Sequence, residues 1–191
     1  MQEPPPRLVR AAAAGDDEAF AELVRRAQPH LWRFLVHLVS DHDVAADLVQ
    51  DTLVSAHRAL PGFRFESSLS TWLLRIARNA ATDHHRRSAR QERLAARAAE
   101  VARSSVPDIS DAAEVRAAIA ALPLHLREVF VLVEVFGLRY REAAEVLDVP
   151  EGTVKSRMFN ARRQLVAWFT ADSGAGDGGQ ADAGEGITDG R

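Results

Sequence analysis

The sequence contains no cysteine, and Lys155 is its sole lysine. Without cysteine the chain can form no disulfide, no thiolate metal site and no cysteine nucleophile. No apolar stretch reaches the roughly 20 residues that a membrane-spanning helix needs, because charged residues or histidines interrupt each one. The first residues also lack the long apolar core of a secretory signal. By elimination, these absences predict a cytoplasmic protein.

Charge is divided unevenly along the chain. Residues 172–191 carry five acids against Arg191 and so sum to −4, whereas the whole chain has a formal charge of −3. Residues 72–103 hold eight arginines against three acids, which gives a local charge of +5. A basic patch beneath a near-neutral total is one footprint of nucleic-acid binding. A solvated arginine-rich helix surface is the alternative.

Apolar residues recur at the three- and four-residue spacing of helices, and no alternating strand pattern occurs. The sequence therefore predicts an all-α fold of two small helical domains joined by a flexible linker. Pro29 is expected to kink or divide the first long helix. The predicted parts are a disordered N-terminus at 1–15, a three- to four-helix bundle at 16–88, a linker at 89–111, a second domain at 112–170 and a disordered acidic, Gly-rich tail at 171–191.

Residues 138–165 have the layout of a helix-turn-helix. A short helix with Ala143 and Ala144 leads to the turn Asp148-Val149-Pro150, and a second helix begins at Glu151. The apolar stripe of the second helix consists of Val154, Met158, Ala161 and Leu165. Residues suited to DNA contact lie outside that stripe: Thr153, Lys155, Ser156, Arg157, Phe159, Asn160 and Arg163. An ordinary amphipathic helix with a polar outer face is the alternative.

Motifs in both halves of the chain follow one another in a distinctive order. They are DLVQDT at 47–52, Phe63-Arg64, TWLLRIARN at 71–79, Leu122-Pro123, Arg127, YREAA at 140–144 and EGTVKSR at 151–157. This set closely resembles extracytoplasmic-function (group IV) sigma factors, which are compact bacterial RNA polymerase subunits. The resemblance covers residues 17–169, with an unspecific linker.

The resemblance implies a sigma factor that binds core RNA polymerase and directs promoter-specific transcription initiation, by recognising the minus-thirty-five element and melting the minus-ten element. It implies promoter DNA and an anti-sigma factor as further partners. It assigns Asp47, Gln50 and Asp51 to polymerase binding. It assigns minus-ten DNA to a loop and the following helix, through Phe65, Glu66, Ser67, Arg75, Asn79, Thr82 and Arg86. It places the second helix of the helix-turn-helix in the major groove of the minus-thirty-five element.

Two other classes of protein compete with this interpretation. A stand-alone helix-turn-helix regulator would bind duplex operators by itself and use the N-terminal bundle as an effector or dimerisation module. An enzyme has little support, because the sequence lacks a glycine-rich phosphate loop, a metal triad and a nucleophile motif. His84 and His85 point to different sides of a helix, so we predict no metal site. We also predict no cofactor and no catalytic residue.

Removal of residues 173–191 tests the predicted tail. Because a glycine-rich acidic segment has almost nothing to bury, the truncated protein should keep its fold and its affinity for core polymerase. A melting curve and a polymerase pull-down measure both properties. A large fall in melting temperature would contradict the prediction.

Overall fold

The structure is a computed structural model that describes residues 3–95 and 111–173. Its regular elements in these two ranges are all helical, which confirms the predicted all-α class. The helices are α1 (Pro6–Ala13), α2 (Asp17–Val39), α3 (His42–Ala59), α4 (Leu69–Ala95), α5 (Asp111–Ala121), α6 (Leu124–Phe130), α7 (Tyr140–Leu147) and α8 (Glu151–Ser173). A 3₁₀ turn, Leu60–Gly62, follows α3, and a π turn, Val131–Val135, follows α6.

Helices α2, α3 and α4 form the bundle that the sequence predicts. Helix α2 begins where the Asp16 carboxylate accepts a hydrogen bond of 2.9 Å from the backbone N–H of Ala19. Its apolar stripe supplies the centre of the core, and Phe34, Leu35 and Leu38 are fully buried. Pro29 does not divide this helix. Both Pro29 and Arg25 are exposed, so water can satisfy the Arg25 carbonyl group that a proline leaves without its helical partner.

Helix α1 corrects the expectation of a disordered N-terminus at 1–15. Pro6 occupies the first turn, where a missing N–H group does no harm. Val9 and Ala12 are buried, and the helix packs against α2 and the 3₁₀ turn. A helix this short is not stable by propensity alone, so the burial of its apolar side holds it in place.

The ends of α4 and α8 also differ from the expected boundaries. Helix α4 continues to Ala95 and takes up the first part of the predicted linker. Helix α8 continues to Ser173, past the predicted domain end at 170. Most of the predicted linker and of the predicted tail lies outside the described residues.

The second domain is built from α5 to α8. The sequence predicts one helix over 124–136, but α6 passes into the π turn, in which the N–H of Phe136 donates to the Val131 carbonyl group at 3.0 Å. The Phe136 ring then meets the Phe34 ring of the first domain edge to face, with centroids 5.6 Å apart. Buried residues of both domains belong to one continuous core, with α4 against α7 and α2 against α5.

One buried ion pair joins the two domains. The Glu128 side chain on α6 is 2% exposed, and its Oε1 lies 2.8 Å from Nε of Arg78 on α4. The Thr82 hydroxyl group lies 3.3 Å from the same carboxylate oxygen. Beside this pair, Arg127 donates to the carbonyl groups of Leu38, at 2.6 Å, and Leu122, at 3.1 Å, and also to that of Ala120. Burial lowers the pKa of Arg127.

The ion pair predicts how substitutions at the domain contact change stability. Arg78→Met leaves the Glu128 carboxylate buried without its partner and should reduce the free energy of unfolding by on the order of 3 kcal/mol. Adding Glu128→Met removes the buried charge and should restore most of that loss. Urea denaturation measures both, with Arg86→Met as an exposed control on α4. Equal losses in the single and double variants would contradict this account.

Candidate nucleic-acid interface

Helices α7 and α8 form the helix-turn-helix that the sequence predicts. The Glu142 side chain accepts a hydrogen bond of 2.7 Å from the Arg139 N–H and so fixes the start of α7. Asp148 ends that helix in the left-handed conformation, with φ of 53°. The N–H of Thr153 donates to the Pro150 carbonyl group at 2.8 Å as α8 begins. Val154, Met158 and Ala161 are fully buried, as predicted, and Leu165 is half-buried.

The predicted minus-thirty-five residues lie on the other side of α8. Lys155, Ser156, Phe159 and Arg163 are exposed, whereas Thr153, Arg157 and Asn160 are half-buried. Phe159 is 67% exposed, which is unusual for so large an apolar side chain without a partner. Lys155 Nζ lies 2.8 Å from Glu151 Oε1, and this hydrogen bond raises the pKa of Lys155. The lysine therefore keeps its charge, and its ammonium group has N–H donors beyond the one that Glu151 accepts.

The loop at 63–68 presents an exposed aromatic ring. Phe65 is 43% exposed and has φ of 59°, in the left-handed region that non-glycine residues rarely occupy. Its ring centroid lies 4.9 Å from that of Phe63, which lies 5.2 Å from that of the half-buried Trp72. Glu66 is exposed, and Ser67 is half-buried with its hydroxyl group 3.3 Å from the Ser68 carbonyl group. The Phe65 ring therefore contacts Phe63, which itself packs against the core, and the two rings are tilted by 53°.

The predicted minus-ten residues of α4 differ in how far they are exposed to solvent. Arg75, Asn79 and Arg86 are exposed, so that the structure brings these three to one side of the helix. Thr82 is half-buried, and its hydroxyl group donates to the Arg78 carbonyl group at 2.9 Å. Its position next to Glu128 directs Thr82 toward the domain contact rather than toward solvent.

The predicted polymerase-binding residues share one exposed face of α3. Asp47, Gln50 and Asp51 are exposed, with the buried Leu48, Val49 and Thr52 on the opposite side. Val54 is 49% exposed and lies seven residues after Asp47, two turns along the same face. Val54 is not among the residues that the resemblance assigns to polymerase binding, although its spacing from Asp47 predicts its place on this face. An apolar side chain thus extends the acidic face.

Within residues 3–95 and 111–173, no helix is both long and apolar enough to cross a membrane. The same ranges contain no group of three histidine or acidic side chains placed to hold a metal ion.

Comparison with known proteins gives two family matches, one for each of the two domains and in the same order along the chain. Sigma-70 region 2 matches residues 23–91, and Sigma-70 region 4 matches residues 112–165. The ECF RNA polymerase sigma factor SigC of Mycobacterium tuberculosis is 37% identical over 164 residues, which are 84% of this chain and 88% of the relative. The ECF sigma-E factor of Haemophilus influenzae is 36% identical over 173 residues, with 83% and 91% covered.

A solved structure gives the same result. The sigma factor RpoE from Bartonella quintana, solved with the anti-sigma factor NepR, has a TM-score of 0.68 and 30% identity. That match covers 80% of this chain and 98% of the other. Because both sigma regions match, a stand-alone regulator is not favoured. The chain belongs to the extracytoplasmic-function sigma factors, the transcription initiation factors that direct RNA polymerase to promoters.

Proposed function

We propose that this sigma factor acts through three separate surfaces. The α3 face with Asp47, Gln50 and Asp51 binds core polymerase, and the loop at 63–68 with the exposed side of α4 binds the unpaired minus-ten element. The exposed side of α8 enters the major groove at the minus-thirty-five element. Bacterial polymerase works on chromosomal DNA, so the proposed place of action is the cytoplasm.

The exposed ring of Phe65 is the observation that carries the minus-ten assignment. Extruding a base from the DNA stack costs a few kcal/mol, and stacking on an aromatic ring returns about 1–3 kcal/mol. A ring that contacts Phe63 at a tilt of 53° and leaves 43% of its residue exposed is suited to that task. Arg75 and Arg86 on α4 supply positive charge for the strand, and the exposed amide of Asn79 can pair with a base edge.

The exposed α3 face carries negative charge, which is complementary to a basic partner. Two carboxylates and an amide lie side by side, and Val54 adds an apolar contact at one end. Complementary charge fixes the register and speeds the encounter, while the apolar side chain adds affinity through burial. These features support the assignment of this face to polymerase.

An anti-sigma factor is the third proposed partner. The Bartonella relative was solved with NepR, and CnrH, 32% identical to this chain, was solved with the cytosolic domain of CnrY. The TM-score of CnrH is 0.67. We extend this mode of regulation to the present chain on the strength of the shared fold.

Two exposed aromatic residues allow a matched test of the proposed surfaces. With holoenzyme and a promoter selected from a randomised library, Phe65→Ala should weaken binding to single-stranded minus-ten DNA roughly tenfold. It should leave binding to duplex minus-thirty-five DNA unchanged. Phe159→Ala on α8 should do the reverse, because its ring faces the proposed duplex site. Fluorescence anisotropy measures both, and equal responses to the two DNAs would contradict the assignment.

Lys155 and Asn160 should contribute to minus-thirty-five binding in different ways. Lys155→Ala removes a phosphate contact, so it should weaken binding to all sequences and reduce the salt dependence by about one unit of slope. Asn160→Ala removes an amide that can pair with adenine, which should cost about 1–3 kcal/mol at one base pair and relax its specificity. Transcription from a randomised minus-thirty-five library separates the two effects. An unchanged base preference in Asn160→Ala would mean that Asn160 does not contact a base.

A further inference from the structure

The conformation of the loop at 63–68 needs support from outside the loop. Phe65 adopts a left-handed backbone conformation that a bulky residue holds only where its surroundings outweigh the strain. Phe63 supports the ring from one direction. Further contacts come from the N-terminal segment, more than fifty residues away in the sequence.

Arg10 on α1 contacts the ring of Phe65. The guanidinium carbon of Arg10 lies 5.5 Å from the ring centroid of Phe65, which is the distance of a cation–π interaction. Arg10 is itself exposed, so its charge stays hydrated on the side away from the ring. The ring thus contacts both Arg10 and Phe63, and 43% of the residue stays open to solvent.

Glu3 fixes the other end of the same loop. Its carboxylate accepts hydrogen bonds from the backbone N–H groups of Leu69, at 2.6 Å, and Ser70, at 3.3 Å, and from the Ser70 hydroxyl group at 2.7 Å. These N–H groups belong to the first turn of α4, where a negative charge is favoured. The Ser68 hydroxyl group also accepts from the Thr71 N–H at 2.9 Å. The point where the loop ends is therefore set by Glu3 as well as by Ser68.

The segment that carries Glu3 and Arg10 is itself anchored. Pro4 is buried next to Glu3, and Val9 is buried next to Arg10. Helix α1 packs against α2 and against the 3₁₀ turn that precedes the loop. A helix whose apolar side is packed in the core can hold a neighbouring loop in one conformation, because its own position is fixed by the core.

We propose that residues 3–13 form an N-terminal brace that holds the minus-ten loop ready for base capture. Arg10 and Glu3 are positioning residues: Arg10 fixes the Phe65 ring, and Glu3 fixes the start of α4. The inference rests on the proposed role of Phe65 in stacking an unpaired base. With the brace intact, the free protein already holds the ring in its capture position, so DNA binding does not have to order it.

The test measures holoenzyme binding to a fluorescent premelted promoter, selected by the wild-type protein from a randomised library. Arg10→Ala is compared with Arg7→Ala, which removes the same charge from the same helix. Glu3→Ala is compared with Glu18→Ala, an exposed acid in the first turn of α2. Phe65→Ala and the double variant Arg10→Ala with Phe65→Ala complete the set. Core polymerase binding is measured for every variant as a check on folding.

The brace predicts that Arg10→Ala weakens premelted binding about twofold to fivefold more than Arg7→Ala. It also predicts that Arg10→Ala has no further effect once Phe65 is alanine. Glu3→Ala should weaken binding as well, although removal of an acid beside DNA would strengthen it through charge alone. Polymerase binding should not change in any variant.

Any one of the following results would overturn the brace. The first is an equal effect of Arg10→Ala and Arg7→Ala, and the second is stronger binding by Glu3→Ala. The third is full additivity in the double variant, which would mean that Arg10 does not act through Phe65. If Phe65→Ala itself leaves premelted binding unchanged, the proposed base capture fails and the brace fails with it. If Phe65→Ala weakens binding while both brace variants match their controls, only the brace fails.

Discussion

A carboxylate that is almost fully buried has to keep a charged partner, and Glu128 meets this requirement across the contact between the two domains. Its partner Arg78 lies on α4, the helix that also carries Arg75 and Asn79 toward solvent. The register of the second domain on the first is therefore tied to the same helix that we propose to bind the minus-ten strand. A buried ion pair adds little net stability but penalises misplacement of either partner. The main effect of the pair is thus to fix how the two domains are arranged, and its contribution to stability is small.

Helix α4 divides three tasks among its faces by helical spacing. Leu73, Leu74, Ala77 and Ala81 are buried in the continuous core, and Arg78 pairs with Glu128 of the second domain. The exposed side carries the proposed strand-binding residues. At its first turn the helix is held by Glu3 and leads directly from the loop of Phe65. A displacement of α4 would therefore move the loop end, the ion pair and the exposed side together, because one rigid helix carries all three.

Features set by local sequence pattern could be predicted from the sequence, whereas features set by long-range contacts could not. The all-α class and the stripe Val154, Met158 and Ala161 follow from apolar spacing within one helix. Helix α1 could not be predicted that way, since the burial of Val9 and Ala12 against the bundle holds so short a helix. The Arg78–Glu128 pair joins residues fifty positions apart, which no local pattern encodes. Roles of individual DNA-binding and polymerase-binding residues stay predictions, because they depend on partners outside the chain.

Acids beside the basic surfaces moderate the attraction of the free chain for nucleic acid. Among the described residues of α4 and α8, exposed cations lie within 4 Å of an acid in the pairs Lys155–Glu151, Arg162–Glu134 and Arg86–Asp83. Exposed pairs of this kind contribute little stability, so a phosphate can replace the acid at small cost. Until that exchange, the acid offsets the long-range field of the cation. We expect specific binding to require both domains at once, because two linked weak contacts bind more tightly than either contact alone.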